Sequence, residues 1–324
     1  MKLNRWQKEM ERISQNADKA TEKRLREIFA KTLKQLEYQT NDLLDNDTIK
    51  FWQLFRISTL QNMQNQANSI LYDNYEALLD ESLSYLQLKQ QLGWDEPLYQ
   101  ASQQLNIVFD RVNLNQAYAL ANYKEEELAD LLSQRLYSNT EQLANRVVDK
   151  LDNLLLTGMS SQKIAKELIP DINNVLQAEL DSEYKKAIRI VRTENTRIQG
   201  RAKQASMEHS ESLGIKTKKM WVASMDRRTR STHQDLDGQT VGVNEKFVLD
   251  GHEADGPGDF GVPYLDIHCR CKAVAIVEDY EPTTRRASVY DNEGNKTGTK
   301  LVPYINYHDW AKENSNGSPA DLLT

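Results

Sequence analysis

Residues 221–271, WVASMDRRTRSTHQDLDGQTVGVNEKFVLDGHEADGPGDFGVPYLDIHCRC, decide how this chain is read. The stretch holds three of the five histidines, both cysteines, six of the thirteen glycines and two of the seven prolines, so polar chemistry and backbone irregularity coincide in it. Asp226, Arg230 and His233 follow one another at i, i+4 and i+7, a spacing that puts three side chains on one face of a helical turn. Asp237-Gly238 supplies a turn signal. A run with Gly251, Gly256, Pro257, Gly258, Gly261 and Pro263 is incompatible with regular structure and delivers the chain to Ile267-His268-Cys269-Arg270-Cys271. Were that last segment an extended strand, its two cysteines would point to the same face.

The flanks are more regular. Ile215 to Val222 has the composition of a strand leading into the stretch, and Ala273 to Val277 is an apolar β-type run leading out of it. Upstream, Ile172 to Gly214 is expected to form one long helix or a helix pair. Between Tyr184 and Arg230 the chain carries thirteen Lys and Arg against four acids, a local +9 on a protein of net charge -7. Such a stripe, ending in Lys216, Lys218 and Lys219, suits phosphate or an acidic protein surface, and it equally suits a solvated helix face. Aromatic side chains that would stack bases are scarce there apart from Trp221, so any nucleic-acid contact would be blind to sequence.

The first 200 residues hold three glycines (Gly93, Gly158, Gly200) and two prolines (Pro97, Pro170), so long helices are expected. Leu3, Trp6, Met10 and Ile13 begin an apolar stripe at helical spacing that Leu25, Ile28, Phe29, Leu33 and Leu36 continue. Asn46-Asp47-Thr48 reads as a cap opening a second helix through Phe51, Trp52, Phe55 and Leu60. A break is expected at Gly93-Trp94-Asp95-Glu96-Pro97, and another at Thr157-Gly158. A short helix capped by Ser160 or Ser161 is expected to end at Pro170. The Gln-rich faces at 61–66 and 100–104 are candidates for packing on a partner. Beyond Pro282, two β-type runs flank Asn292-Glu293-Gly294-Asn295 as in a hairpin, and the last fifteen or so residues read as a flexible end.

A hydrophobic content of 39% with 27% charged residues fits a folded chain, with no apolar window of membrane-spanning length and no secretory leader. The expectation is therefore a protein of the cytosol, or of a particle assembled there. Two cysteines one residue apart make a strained disulfide and point instead to a reducing compartment. With His233 and His252 they form a candidate zinc site, His268 being a further imidazole nearby; the bland reading is two small thiols on a core strand. Asp226, Arg230 and His233, with Arg192 and Glu194, read as an ionic brace in which Asp226 pairs with Arg230. The sharper alternative makes His233 an acid or base and Arg230 a stabiliser of phosphate charge.

Taken together, Trp221, Asp226, Arg230, His233 and Asp237-Gly238 spell W-x4-D-x3-R-x2-H-x3-D-G, followed by a loop ending in Pro and a closing C-R-C, and preceded by Arg192-Thr193-Glu194 on a helix. This composite resembles the phage head morphogenesis family, the Mu F-like minor head proteins, over roughly residues 185–277; His268 directly before Cys269 departs from its usual pattern. The resemblance implies a mainly α chain: a long N-terminal helical, portal-facing domain (1–180), a small α+β Mu F-like domain (181–280) and a C-terminal hairpin with a short polar tail (281–324). It implies a non-enzymatic minor capsid protein in the virion, inside the head near the portal, present in host cytoplasm during assembly. Its implied partners are the portal, scaffold or major capsid protein and nonspecific double-stranded DNA, with no membrane. The alternatives are a phage nuclease or transferase using His233 and Arg230, and a plain DNA-binding module. Relatives of the family can carry toxin or nuclease domains after the motif, and about fifty residues follow Cys271 here.

Overall fold

The computed structural model describes residues 5–45, 57–105, 125–156, 164–278, 281–291 and 293–314. The expected caps at 46–48 and 160–161, the apolar run 51–55, the break at 157–158 and the end of the tail from 315 on lie outside the described residues. Four long helices come first: α1 (Arg5–Asp45), α2 (Ile57–Leu105), α3 (Glu125–Leu156) and α4 (Ile164–Ser212). Then follow β1 (Thr217–Val222), α5 (Ser231–Asp235), β2 (Thr240–Gly242), β3 (Phe247–Leu249), β4 (His252–Ala254), α6 (Pro263–Asp266), β5 (Lys272–Val277), β6 (Thr284–Tyr290), β7 (Lys296–Pro303) and α7 (Tyr307–Asn314). The chain is mainly α, a long helical region followed by short antiparallel strands. Among the described residues no helix is long and apolar enough to cross a membrane.

Two compact units divide the chain: Gln15–Tyr85 with Glu125–Val191, and Met1–Ser14, Leu86–Lys124 and Arg192–Thr324. In the first, each of the four helices buries one stripe at helical spacing: Leu25, Phe29 and Leu36; Ile70, Leu71 and Leu78; Leu132, Leu136 and Leu143; Leu176, Leu180 and Ala187. Polar ties join neighbouring helices. Arg24 of α1 reaches Glu81 of α2 at 3.0 Å, Tyr75 of α2 meets Ser133 of α3 at 2.6 Å, and Arg146 of α3 binds Glu179 and Glu183 of α4 at 2.9 and 2.7 Å.

In the second unit β1 is the central strand of a three-stranded antiparallel sheet ordered β2-β1-β5, with Trp221 opposite Ala273 and Thr217 opposite Val277. The strand expected at Ile215–Val222 and the β run at Ala273–Val277 are thus neighbours in one sheet. Among the described residues the β3-β4 and β6-β7 hairpins make up the rest of the β structure. A core of Trp221, Met225, Leu236, Phe247, Phe260, Leu265, Cys269, Cys271, Ala287, Tyr307 and Trp310 lies beneath. The burial of Tyr307 and Trp310 draws α7 into the fold, so the flexible end expected for the last fifteen residues does not extend over this helix.

The breakers were misread. α2 runs through Gly93 and Pro97, and α4 through Pro170. Around Gly93 tertiary packing overrides local propensity, because a Cβ there would stand 2.8 Å from the Gln199 carbonyl oxygen, so glycine lets α4 pass close by. Fully buried Trp94 packs with Leu98, Ala202 and Ala205, while Ser206 donates to the Trp94 carbonyl at 2.8 Å and Lys203 meets Glu96 at 2.8 Å. Pro170 is exposed near the start of α4, where it removes one helical N–H without ending the helix. Gln100, in a face read as awaiting a partner, donates to the Ala275 carbonyl of β5 at 2.7 Å within the same unit.

Gly93→Ala is expected to destabilise the protein by about 1–3 kcal/mol through overpacking. Gly256→Ala, where a Cβ meets nothing within 4 Å, should be near neutral. Urea unfolding of both variants checks this, and equal stability of the two would contradict the close-approach account.

Candidate metal centre

The site is built from the chain reversals at either end of the long irregular segment. At its start, the Asp226 carboxylate accepts the Arg228 backbone N–H at 2.9 Å, folding residues 226–229 into a turn that sets Arg230 before α5. The Arg230 carbonyl then accepts from the backbone N–H of His233 and of Gln234, both at 3.0 Å, which starts the one-turn helix carrying His233. Asp226 and Arg230 therefore precede the helix instead of sharing a face with His233.

The ionic pairing also differs from expectation. Asp226 pairs with Arg270, the residue between the two cysteines, in a two-pronged bond whose second arm measures 2.9 Å. Arg230 instead donates to the carbonyls of Leu265 (3.3 Å) and Ile267, clasping the segment that leads into the cysteines. Glu194 is buried and bound by Arg197 on its own helix, and Arg192 is exposed. Thr193 and Thr196 of the same helix reach the site instead: Thr193 Oγ1 accepts the His268 N–H at 3.4 Å, and Thr196 Oγ1 donates to the Cys269 carbonyl at 2.8 Å.

Asp237 closes the far side. Its carboxylate takes the Ala223 N–H at 2.6 Å, the Tyr307 N–H at 2.7 Å, and both arms of Arg285 at 2.6 and 3.0 Å. Both side chains are buried, Arg285 at 4% exposure and Asp237 at 0%. Gly238 at φ 88° makes the turn after it, a conformation open to glycine.

Cys269, Arg270 and Cys271 form no strand; they lie between α6 and β5, behind His268, whose φ of 60° turns the backbone sharply. Both thiols nevertheless meet His233, whose Nδ1 stands 3.6 Å from Cys269 Sγ and 3.4 Å from Cys271 Sγ. All three side chains are buried, and their donor atoms lie within 4.8 Å of one another. The imidazole stands edge-on to fully buried Trp221, and its Nε2 is buried without a hydrogen-bond partner. His252 is outside this group, half-buried on β4 with its ring against Tyr264, and His268 is exposed. The hydrogen bond between the thiols favours the Cys269 thiolate and, with burial, pushes the Cys271 thiol well up.

Of the basic residues singled out for DNA, Lys219 is fully buried, donating to Gln204 Oε1 and the Asp255 carbonyl, both at 3.0 Å. Lys216 and Lys218 are exposed. Arg270, Arg285, Thr196 and Tyr307 had not been singled out; the position of Arg270 inside C-R-C is the one signal that marks any of them.

The fold thus defines a small α+β domain braced by buried carboxylate–guanidinium bonds around a Cys2His cluster. Residues 145–274 match the family described as Phage Mu protein F like protein. It is 30% identical over 309 residues to a protein of Enterococcus faecalis named NAD(+)--arginine ADP-ribosyltransferase EFV, covering 95% of this chain and 60% of that one. It is 24% identical over 312 residues to the Minor head protein GP7 of Bacillus phage SPP1, covering 95% of this chain and 97% of that one. No solved structure matches the chain.

A carboxylate and two phenols around the site set opposite pH limits. Burial works against the Asp226 charge, yet the bonds from Arg270 and the Arg228 backbone hold its carboxyl below the ordinary 3.8. Its contribution is present above that ordinary value and is lost as pH falls through the lowered one. Burial, then the Asp226 charge, pushes Tyr307 up to about 12, and burial, then Asp237, does the same for Tyr304. Between about pH 10 and 12 the unfolded chain releases phenol protons that the folded chain keeps, so stability falls with rising pH. Urea midpoints across this alkaline range are expected to decline less steeply in Tyr307→Phe than in the wild type; identical slopes would contradict the assignment.

Proposed function

We propose that this chain is a minor head protein of a tailed phage or prophage, working in head morphogenesis beside the portal. The observation that carries the reading is the end-to-end match to the SPP1 minor head protein, 95% of this chain against 97% of that one. The chemistry of the motif supports it. Arg230 is committed to two backbone carbonyls, Asp226 to Arg270, and His233 to two thiols, so the residues with a conceivable catalytic role hold the domain's shape. In this reading the four-helix unit is the assembly contact, with portal, scaffold or major capsid protein as its partners. Exposed Lys216, just before β1, and Lys218, on it, make a sequence-blind contact with packaged DNA.

A second reading, ADP-ribosyl transfer, rests on the 30% identity to the Enterococcus protein. The name belongs to that whole protein, of which this chain spans 60%. The head-protein reading is favoured because its relative is matched over nearly its whole length.

One experiment separates the two. The full chain, mixed with portal rings of the same phage under assembly conditions, is expected to co-sediment with them and to be found in purified heads. In parallel, incubation with labelled NAD(+) and an arginine-rich acceptor is expected to transfer no label. Absence from both rings and heads contradicts the proposal, and label transfer with absence from heads establishes the rival. For the DNA contact, affinity should fall steeply with salt and weaken in Lys216→Ala/Lys218→Ala; salt-insensitive binding contradicts it.

A further inference from the structure

The cluster of His233, Cys269 and Cys271 carries chemistry that the head-protein reading leaves unused. We propose that these three side chains coordinate a single zinc ion, with a non-protein ligand in the fourth position, and that this ion fastens the two ends of the long irregular segment. Thiolate and imidazole are the donors that select zinc over the hard, oxygen-seeking ions magnesium and calcium.

The geometry fits one ion. Zinc–nitrogen bonds of about 2.0–2.1 Å and zinc–sulfur bonds of about 2.3 Å, set at a tetrahedral angle, separate nitrogen from sulfur by about 3.6 Å. His233 Nδ1 stands 3.6 Å from one sulfur and 3.4 Å from the other. A neutral imidazole offers one lone pair at that nitrogen, facing two thiols, and a metal ion satisfies all three groups at once. A Cys269–Cys271 disulfide would be strained at this one-residue spacing and would leave the imidazole facing it without purpose.

The donors are also held in place independently of any ion. Thr196 anchors the Cys269 carbonyl at 2.8 Å, Ser224 donates to the Arg270 carbonyl at 2.8 Å, and Arg230 clasps the carbonyls of Leu265 and Ile267. Such outer contacts are what orient ligands in built metal sites. His233 and Cys269 are 36 residues apart, so an ion joining them closes a long loop, and the glycine-rich chain between them gains a fixed end-to-end distance. Among the described residues no other imidazole, thiol or carboxylate completes the group, which leaves the fourth position to water. Both cysteines bind as thiolates, so loading the site releases their protons to solvent.

The test uses the full chain, reduced, stripped with a chelator and titrated with cobalt(II). The expected result is one ion per chain, with thiolate-to-cobalt charge-transfer absorption in the near ultraviolet, intense tetrahedral visible bands, and displacement of both by zinc(II). Cys269→Ser/Cys271→Ser should lose the charge-transfer band, and His252→Ala should keep the wild-type spectrum and stoichiometry. Because removing two core thiols also disturbs packing, the wild type and His252→Ala are decisive. A wild type that takes up no cobalt, or takes it up without charge-transfer absorption, overturns the proposal, and loss of the signal in His252→Ala overturns the ligand set. The readout is made on the isolated chain, so it stands or falls separately from the head-protein reading.

Discussion

Asp237 is the point on which the small domain depends. A carboxylate removed from water must have its lone pairs met by donors, or its burial costs several kcal/mol. Here four donors meet them: the Ala223 N–H at the end of β1, the Tyr307 N–H at the start of α7, and two guanidinium nitrogens of Arg285 on β6. The same guanidinium spends its remaining reach on the carbonyls of Ala223 and Ile305. Such a network adds little net stability over an apolar core, yet it makes partial opening expensive, because releasing any one element strands a buried charge. The C-terminal hairpin and α7 are thereby welded to the sheet and belong to the fold.

The second brace follows from the first. With β1 and the Asp237-Gly238 turn fixed, the segment from Asp226 to His233 has little freedom, and Asp226 holds Arg270 across from it. That bond lies between the two cysteines, while Arg230 and Thr196 grip the backbone that leads into it. Three buried donors then meet in one place because the polar contacts around them leave the backbone no other path. This is the physical sense in which the motif serves shape: its charged groups position other groups.

Much of this was legible in the sequence. Asp226, Arg230 and His233 stand out by their spacing, Asp237-Gly238 by its turn signal, Trp221 through the family resemblance, and the long helices by the scarcity of glycine and proline in the first 200 residues. What the sequence concealed were relations set by distant packing. Gly93 reads as a breaker until Gln199 is seen beside it, and Trp94 burial outweighs the proline three residues on. Lys219 reads as surface charge, but the alternation of β1 turns it inward beneath Gln204 and Phe247. Arg285 stands just before a run read as the first strand of a C-terminal hairpin, and nothing in its neighbours announces a buried partner 48 residues away. Likewise Arg230 was paired with Asp226 by helical spacing, whereas the turn before α5 breaks that geometry and frees Asp226 for Arg270.

The central claim is that one buried carboxylate makes residues 217–314 a single cooperative piece. Native-state hydrogen exchange of the Ala223 and Tyr307 amides, both bonded to Asp237, tests it most directly. The account predicts that these two amides exchange only through global unfolding, with the same free energy and the same dependence on denaturant as the core amides of β1. Exchange of the Tyr307 amide through a low-energy local opening, with the sheet still protected, would contradict it.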